Sequence, residues 1–328
     1  MVAFDTLLGA PDAVLLDYAL LQAAADTWSS FLSDALAAFA DLISMLQREP
    51  GPLVVNNSWG LFDRSTDAPI GSPENYSANP NHPFNQIVGS LVAAGADVLF
   101  AAGNCGEDCP DGRCGEGDTG RGASIHGANS HASVLTIAAV TVDKGRLGYS
   151  SQGPGGLTDK KPDVAAYSHF AGSGVYKADG GTSAACPVAA GVVAALRQAA
   201  PNLSPAELKG IIQKGADLLG LAWDYDTGYG VINAERAWSL LSKERLGARL
   251  TSRPAKRKFP SAWMLEPNSA EAVMEYAESL RKRAVPARGS AQTMTGRKRA
   301  NSAPRSKAQK KNLTAANIGA VRKNKKRT

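Results

Sequence analysis

No apolar run in this 328-residue chain reaches the roughly 20 residues needed to cross a bilayer, so no transmembrane segment is expected. The first residues carry neither the basic start nor the apolar stretch of a signal peptide. Histidine is scarce, with His82, His126, His131 and His169 the whole supply for acid–base work. Cysteine is scarce too. Three of the four crowd into the stretch from Cys105 to Cys114, and the spacing C-x3-C-x4-C fits no zinc-finger pattern well. Each end of the chain lacks charge of one sign. Residues 1–242 hold 13 Lys+Arg against 25 Asp+Glu, whereas residues 243–328 hold 23 against 5. An acidic body joined to a strongly basic tail reads as two physical objects.

The body has the material for a core, since apolar residues make up 44% of the chain. Ala13–Leu20 reads as a buried strand, and Pro52–Asn57, Ala96–Ala102 and Ser133–Val140 read as further strands. Between them, Ser29–Gln47 shows Phe31, Leu32, Leu36, Phe39, Leu42, Ile43 and Leu46 at helical spacing. Phe84–Ala94 and the segment from Ser204 to about Leu218 read as helices, the latter opened by a Ser204/Glu207 capping box. Apolar strands alternating with helices predict an α/β fold. It has three α/β/α layers around a mainly parallel sheet covered on both faces. Such sheets bind ligands beyond the carboxyl ends of their strands. Asn57-Ser58 and Gly103-Asn104 fall at two such ends.

Gly180-Gly181-Thr182-Ser183-Ala184-Ala185-Cys186-Pro187 places a serine at the mouth of an Ala/Val helix, where unpaired N–H groups and the positive dipole end gather. That setting suits a nucleophile whose target develops an oxyanion. An N-cap is the simpler role for Thr182 or Ser183. The run resembles the Gly-Thr-Ser-x-Ala-x-Pro nucleophile box of the subtilisin-like serine proteases, with Cys186 and Val188 departing from the usual residues. Five further segments resemble the same family, in the family's order. They are Val54–Gly60, Leu99–Asn104, Leu147–Pro154, Lys161–Ala166 and Asp226–Ala234. The resemblance covers roughly residues 1–242 and implies a subtilisin-like peptidase domain there. It implies Ser183 as nucleophile and Asn104 as oxyanion donor. It implies a wall of Ser58, Trp59, Gly60, Ala102, Gly103 and Thr182 for a polypeptide held in extended form. No metal ligands are expected in the site and no cofactor is required, with calcium a possible structural ion.

The family works with Asp, His and Ser in that chain order. Here no Asp-x-Gly strand end precedes Ser58, and none of the four histidines stands in a His-Gly-Thr context. Met1-Val2-Ala3 matches the residues that follow His-Gly-Thr in the family. The expectation is therefore that Met1 is internal to a longer reading frame, which makes this chain an N-terminally truncated endopeptidase, inactive as it stands. The rival is a non-catalytic peptide-binding pseudoprotease that starts at Met1. An α/β-hydrolase esterase is disfavoured because Gly181-Thr182-Ser183-Ala184-Ala185 lacks the final glycine of G-x-S-x-G.

Four readings stay open for the Cys105–Arg121 loop: a disulfide with one thiol left over, a calcium site on its carboxylates, a zinc site using His126, or a solvated acidic loop that holds no ligand. Cys186 is expected to pack as a small buried side chain. His169 is weighed as a substitute base and set aside for an ordinary surface or packed role. The tail, residues 243–328, reads as largely disordered with one helix near 269–283. Its Lys/Arg clusters imply non-specific binding to nucleic acid or acidic surfaces. No aromatic stacking platform accompanies them, so sequence readout is not expected. Nothing in the sequence fixes a compartment.

Overall fold

The computed structural model describes residues 1–20, 27–251 and 317–323. In chain order the elements are α1 (Val2–Gly9), β1 (Ala13–Ala19), α2 (Trp28–Arg48), β2 (Val54–Asn57), α3 (Pro83–Ala93), β3 (Asp97–Ala101), β4 (Leu135–Val140), β5 (Val164–Tyr167), α4 (Thr182–Ala199), α5 (Pro205–Gly215), α6 (Ala234–Thr251) and β6 (Asn317–Lys323). Six strands form one sheet in the order β1-β6-β2-β3-β4-β5. Strands β2 to β5 are parallel; β6 is antiparallel to both β1 and β2.

Alternation along the parallel strands builds two cores. Val55, Val98 and Phe100 join Phe31, Phe39, Leu42, Phe84 and Leu91 from α2 and α3. Val54, Leu99 and Ala101 face Ala185, Ala189, Val193 and Ile211 from α4 and α5. Both faces are therefore covered, as a parallel sheet requires. Helix α2 is held by a Thr27/Ser30 capping box and α5 by the expected Ser204/Glu207 box. By length and composition α2 could cross a bilayer, but 67% of its most apolar window is buried inside the fold. Small residues let α1 press onto α4: a Cβ on Gly191 would lie 2.3 Å from the Thr6 carbonyl oxygen. At its far end, α4 is bolted to β3 by Arg197, whose Nε and Nη2 lie 2.6 and 2.7 Å from the two Asp97 carboxylate oxygens.

Three differences from the sequence reading stand out. Strand β1 is half-buried, with Asp17 and Ala19 exposed, because it lies at the sheet edge rather than in its middle. Helix α6 runs from Ala234 to Thr251, so the expected boundary at 242/243 falls inside it. Seven residues of the tail form β6. The helix expected near 269–283 lies outside the described residues.

Candidate active site

The carboxyl ends of β2 and β3 and the start of α4 meet at a cleft of about 930 Å³. Helix α4 begins at Thr182, after Gly181 at φ 75° and ψ 167°. That conformation is open almost only to glycine. A side chain there would also begin 3.1 Å from Asn104 Nδ2 and 3.5 Å from the Ser183 amide nitrogen. Both groups of the Gly181 peptide are held: its N–H donates to Tyr149 Oη at 3.0 Å and its carbonyl accepts from Ser168 Oγ at 2.8 Å. Tyr149 Oη is also 3.1 Å from Ser168 Oγ and from His169 Nδ1. Burial holds the Tyr149 phenol above its ordinary pKa, so it remains a hydroxyl.

Asn104 is fixed by its oxygen. Its Oδ1 accepts from both the amide and the hydroxyl of Thr182, each at 2.9 Å. The Thr182 hydroxyl oxygen in turn accepts the Gly103 N–H at 3.2 Å. This leaves the Asn104 amide NH₂ turned toward the glycine face beside the Ser183 N–H. Two donors thus share one small region at a helix N-terminus, which is the arrangement an oxyanion needs.

Ser183 and Ser58 are linked twice. Ser183 Oγ donates to the Ser58 carbonyl at 3.1 Å, and Ser58 Oγ donates to the Ser183 carbonyl at 3.1 Å. The second bond follows from Pro187. A helical Ser183 carbonyl would normally accept from residue 187, but proline has no N–H. The vacancy in α4 is filled from the end of β2. Asn56 Nδ2 then orients the Ser58 hydroxyl at 2.9 Å.

Of the wall expected from sequence, Ser58, Trp59, Gly60, Gly103 and Thr182 line the cleft with Ser183 and Asn104. Ala102 does not. It is buried one residue past the end of β3, its N–H donated to the Ile137 carbonyl. Trp59 is at once a core and a cleft residue. It is buried and packs edge-on against Phe31 and Phe100, with ring centroids 4.8 and 5.3 Å away. Trp28 and Phe31 extend this aromatic wall. The sequence pattern assigns Phe31 only to an amphipathic helix and gives Trp28 no role. Tyr149 lies in the Leu147–Pro154 segment, whose resemblance assigns it no role.

Among the described residues, no histidine lines the cleft. His82 caps α3 by accepting the Phe84 N–H, and His131 accepts the Ser133 N–H. His126 is buried 3.8 Å from Asp118. Burial holds all three down to about 4, so they are neutral at pH 7. His169 meets Tyr149 rather than Ser183.

The Cys105–Arg121 loop contains a disulfide between Cys105 and Cys114, nine residues apart, with Cys109 left as an exposed thiol. Its carboxylates are turned to cations: Asp108 to Arg146, Asp111 to Arg113, Asp118 to Arg64. Among the described residues there is no group of three or more His, Cys, Asp or Glu arranged to hold a metal ion. The loop returns to Asn104, whose backbone carbonyl accepts the Asp111 N–H at 2.9 Å. Cys186 is buried, and burial pushes its thiol far up.

Residues 9–230 match the model of the subtilase family, peptidase S8. Subtilisin DY of Bacillus licheniformis is 31% identical over 168 residues, 51% of this chain and 54% of that protein. Fervidolysin of Fervidobacterium pennivorans is 42% identical over 65 residues, 20% of this chain and 9% of that protein. Among solved structures, sphericase aligns with 19% identity and a TM-score of 0.48, covering 62% of this chain and 64% of that one. The serine protease MycP1 of the type VII (ESX-1) secretion system aligns with 22% identity and a TM-score of 0.46, covering 65% and 58%. The chain spans about half the length of subtilisin DY. A family match over residues 9–230, with the nucleophile box, the Asn104 turn and the Ser58 strand end meeting in one cleft, identifies the chain as a member of the subtilase family with a subtilisin-like fold.

Proposed function

We propose that this chain carries the nucleophile half of a subtilisin-type serine endopeptidase cleft. Ser183 attacks a peptide carbonyl and becomes acylated. Asn104 Nδ2 and the Ser183 N–H receive the developing oxyanion, and Ser58-Trp59-Gly60 holds the substrate as an extended strand. The observation that carries this reading is the anchoring of Asn104 through Oδ1 to Thr182, which leaves its amide donor free beside the nucleophile.

The Ser183 hydroxyl donates to a backbone carbonyl, and a carbonyl cannot take a proton away. The chain alone is therefore expected to turn over poorly. In subtilisin itself, loss of the histidine costs about as much as loss of the whole triad, roughly 10⁶ in kcat. Activity then needs a base delivered to Ser183 by a segment outside this sequence. The second reading, a peptide-binding protein without chemistry, is favoured by the same carbonyl contact and the absence of a histidine from the cleft. The basic tail would add non-specific affinity for nucleic acid or acidic surfaces, and calcium remains a structural ion to test by chelation.

A fluorophosphonate probe decides between the readings. The endopeptidase reading expects labelling of Ser183 in a longer form that carries a His-Gly-Thr segment, and none in its Ser183→Ala variant. Peptide binding with no labelling in any form would establish the binding protein.

A further inference from the structure

Among the described residues, Lys144 and His169 are the two non-glycines with positive φ. His169 sits at φ 60°. That left-handed conformation is strained for a residue with a Cβ and persists only where its surroundings impose it. A short hairpin imposes it here. The His169 N–H donates to the Asp179 carbonyl at 2.8 Å, and Phe170 pairs antiparallel with Asp179. The ring of His169 is thereby laid against Gly180, where a Cβ would fall 3.4 Å from its Cε1, and its Nδ1 is set 3.1 Å from Tyr149 Oη.

The contacts around Tyr149 leave one way to place every proton. Gly181 N–H donates to Tyr149 Oη at 3.0 Å, and the hydroxyl of buried Ser168 donates to the Gly181 carbonyl at 2.8 Å. The Ser168 proton is thus used. The Tyr149–Ser168 contact of 3.1 Å then needs the phenol proton, and the Tyr149–His169 contact needs a proton from the ring. A neutral imidazole has one N–H to give, and a hydroxyl has one O–H. All four bonds close only when that N–H is on Nδ1. With the ring proton on Nε2, the phenol would donate to His169 and the Tyr149–Ser168 contact would hold no proton. Bonds chained in this way polarise and strengthen one another.

Tyr149 is also tied to the Asn104 loop. Its carbonyl accepts the Gly106 N–H at 2.8 Å. Two residues on, Ser151 Oγ accepts the Cys105 N–H and the Ser151 N–H donates to the Gly103 carbonyl, each at 3.0 Å. Tyr149 therefore holds the Asn104 loop by its backbone and the Gly181 turn by its phenol.

We propose that His169 and Tyr149 are positioning residues. A hydrogen-bond relay runs from His169, fixed as the Nδ1–H tautomer, through Tyr149 and Ser168 to Gly181. It sets the Gly181 peptide, and with it the placing of the Ser183 N–H beside the Asn104 amide. The use of that placing in oxyanion binding rests on the protease reading; the relay itself does not.

NMR on the full chain tests it. In alkaline buffer, where the ring is neutral, the His169 nitrogens are expected to show the proton on Nδ1. Tyr149→Phe keeps the ring and removes the hydroxyl. Gly181 amide exchange should then rise at least tenfold, with the Ser183 amide and the Asn104 Nδ2 resonances shifted and the Val98 and Leu99 amides unmoved. His169→Gly fits the backbone and removes the donor, so Gly181 exchange should rise several-fold. His169→Asn also tolerates positive φ and returns an N–H donor, so exchange should come back to within about twofold of the unaltered chain. A proton on Nε2, unchanged Gly181 exchange in Tyr149→Phe, or His169→Asn no better than His169→Gly overturns the relay. Unmoved Ser183 and Asn104 resonances overturn the positioning. Should Tyr149→Phe unfold the molecule, the same resonances are read in the His169 pair. Fluorophosphonate labelling stands apart: if the longer form never labels, the protease reading falls and the NMR result keeps its meaning.

Discussion

The two sides of the cleft are finished to different degrees. On the Ser183 side, Gly181, Thr182, Ser183, Asn104 and Ser58 take part in seven hydrogen bonds of 2.8–3.2 Å, among themselves and to Gly103, Tyr149 and Ser168. On the opposite side, Met1, Val2, Trp28 and Phe31 form the wall. Among the described residues, the indole nitrogens of Trp28 and Trp59 there are buried without hydrogen-bond partners, and buried Asp5, one turn into α1, has the Asp179 carboxylate beside it. Buried polar groups are normally paired. One side is thus a self-contained lattice of bonds. The other carries the donors and acceptors of an incomplete one. The lesson is that bonding around one cleft can be uneven: the wall around Ser183 is saturated, and the aromatic wall opposite it is not.

The largest expected break in this contrast lies behind the saturated side. Asp97→Ala leaves the Arg197 guanidinium buried without its counter-ion between α4 and β3, and should cost about 3–5 kcal/mol in urea unfolding. Next comes the disulfide that returns the loop to Asn104. Cys105→Ser should cost about 2–4 kcal/mol, whereas Cys109→Ser, at an exposed free thiol, should stay within about 0.5 kcal/mol. Equal losses for the two would remove the loop from the account of Asn104.

Asp5 sharpens the comparison because its effect should have the opposite sign. Burial first, and then the Asp179 carboxylate, lift its pKa from 3.8 to about 7. A carboxyl raised in the folded state binds its proton more tightly there than when unfolded, so stability falls as pH rises from about 4 to about 7. Asp5→Asn should therefore stabilise the chain by about 1–3 kcal/mol at pH 8 and hardly at all at pH 4. Thermal melts at the two pH values check this, and destabilisation at pH 8 would mean that Asp5 has a partner in solution. The smallest effect is expected from Ser58→Ala. It orphans the Ser183 carbonyl and should cost about 1 kcal/mol in thermal unfolding.

Much of the saturated side could be read from the chain because backbone geometry dictated its residues. Gly181 needs a positive φ, Gly103 adopts φ 110°, and Asn104 and Ser183 follow them at fixed offsets. Capping chemistry likewise announced α5 through Ser204 and Glu207. The aromatic wall was opaque for a different reason. Trp28 and Phe31 belong to a helix whose apolar stripe looks the same whether it meets a core or the edge of a cleft. Alternation could not tell that Ala13–Ala19 lies at an edge, since edge position is set by which strands pair and not by the strand's own residues. Strand β6 was hidden altogether: seven residues with a central glycine and two terminal cations carry no strand signal, and only the pairing edges of β1 and β2 reveal their place.

Pro187 gives the fold one more property. Because the Ser183 carbonyl takes its hydrogen from Ser58, the first turn of α4 is stapled to a loop 125 residues earlier in the chain rather than to its own next turn. Fraying at that helix end would have to dislodge the tip of β2 as well, so the Ser183 hydroxyl inherits the rigidity of the sheet.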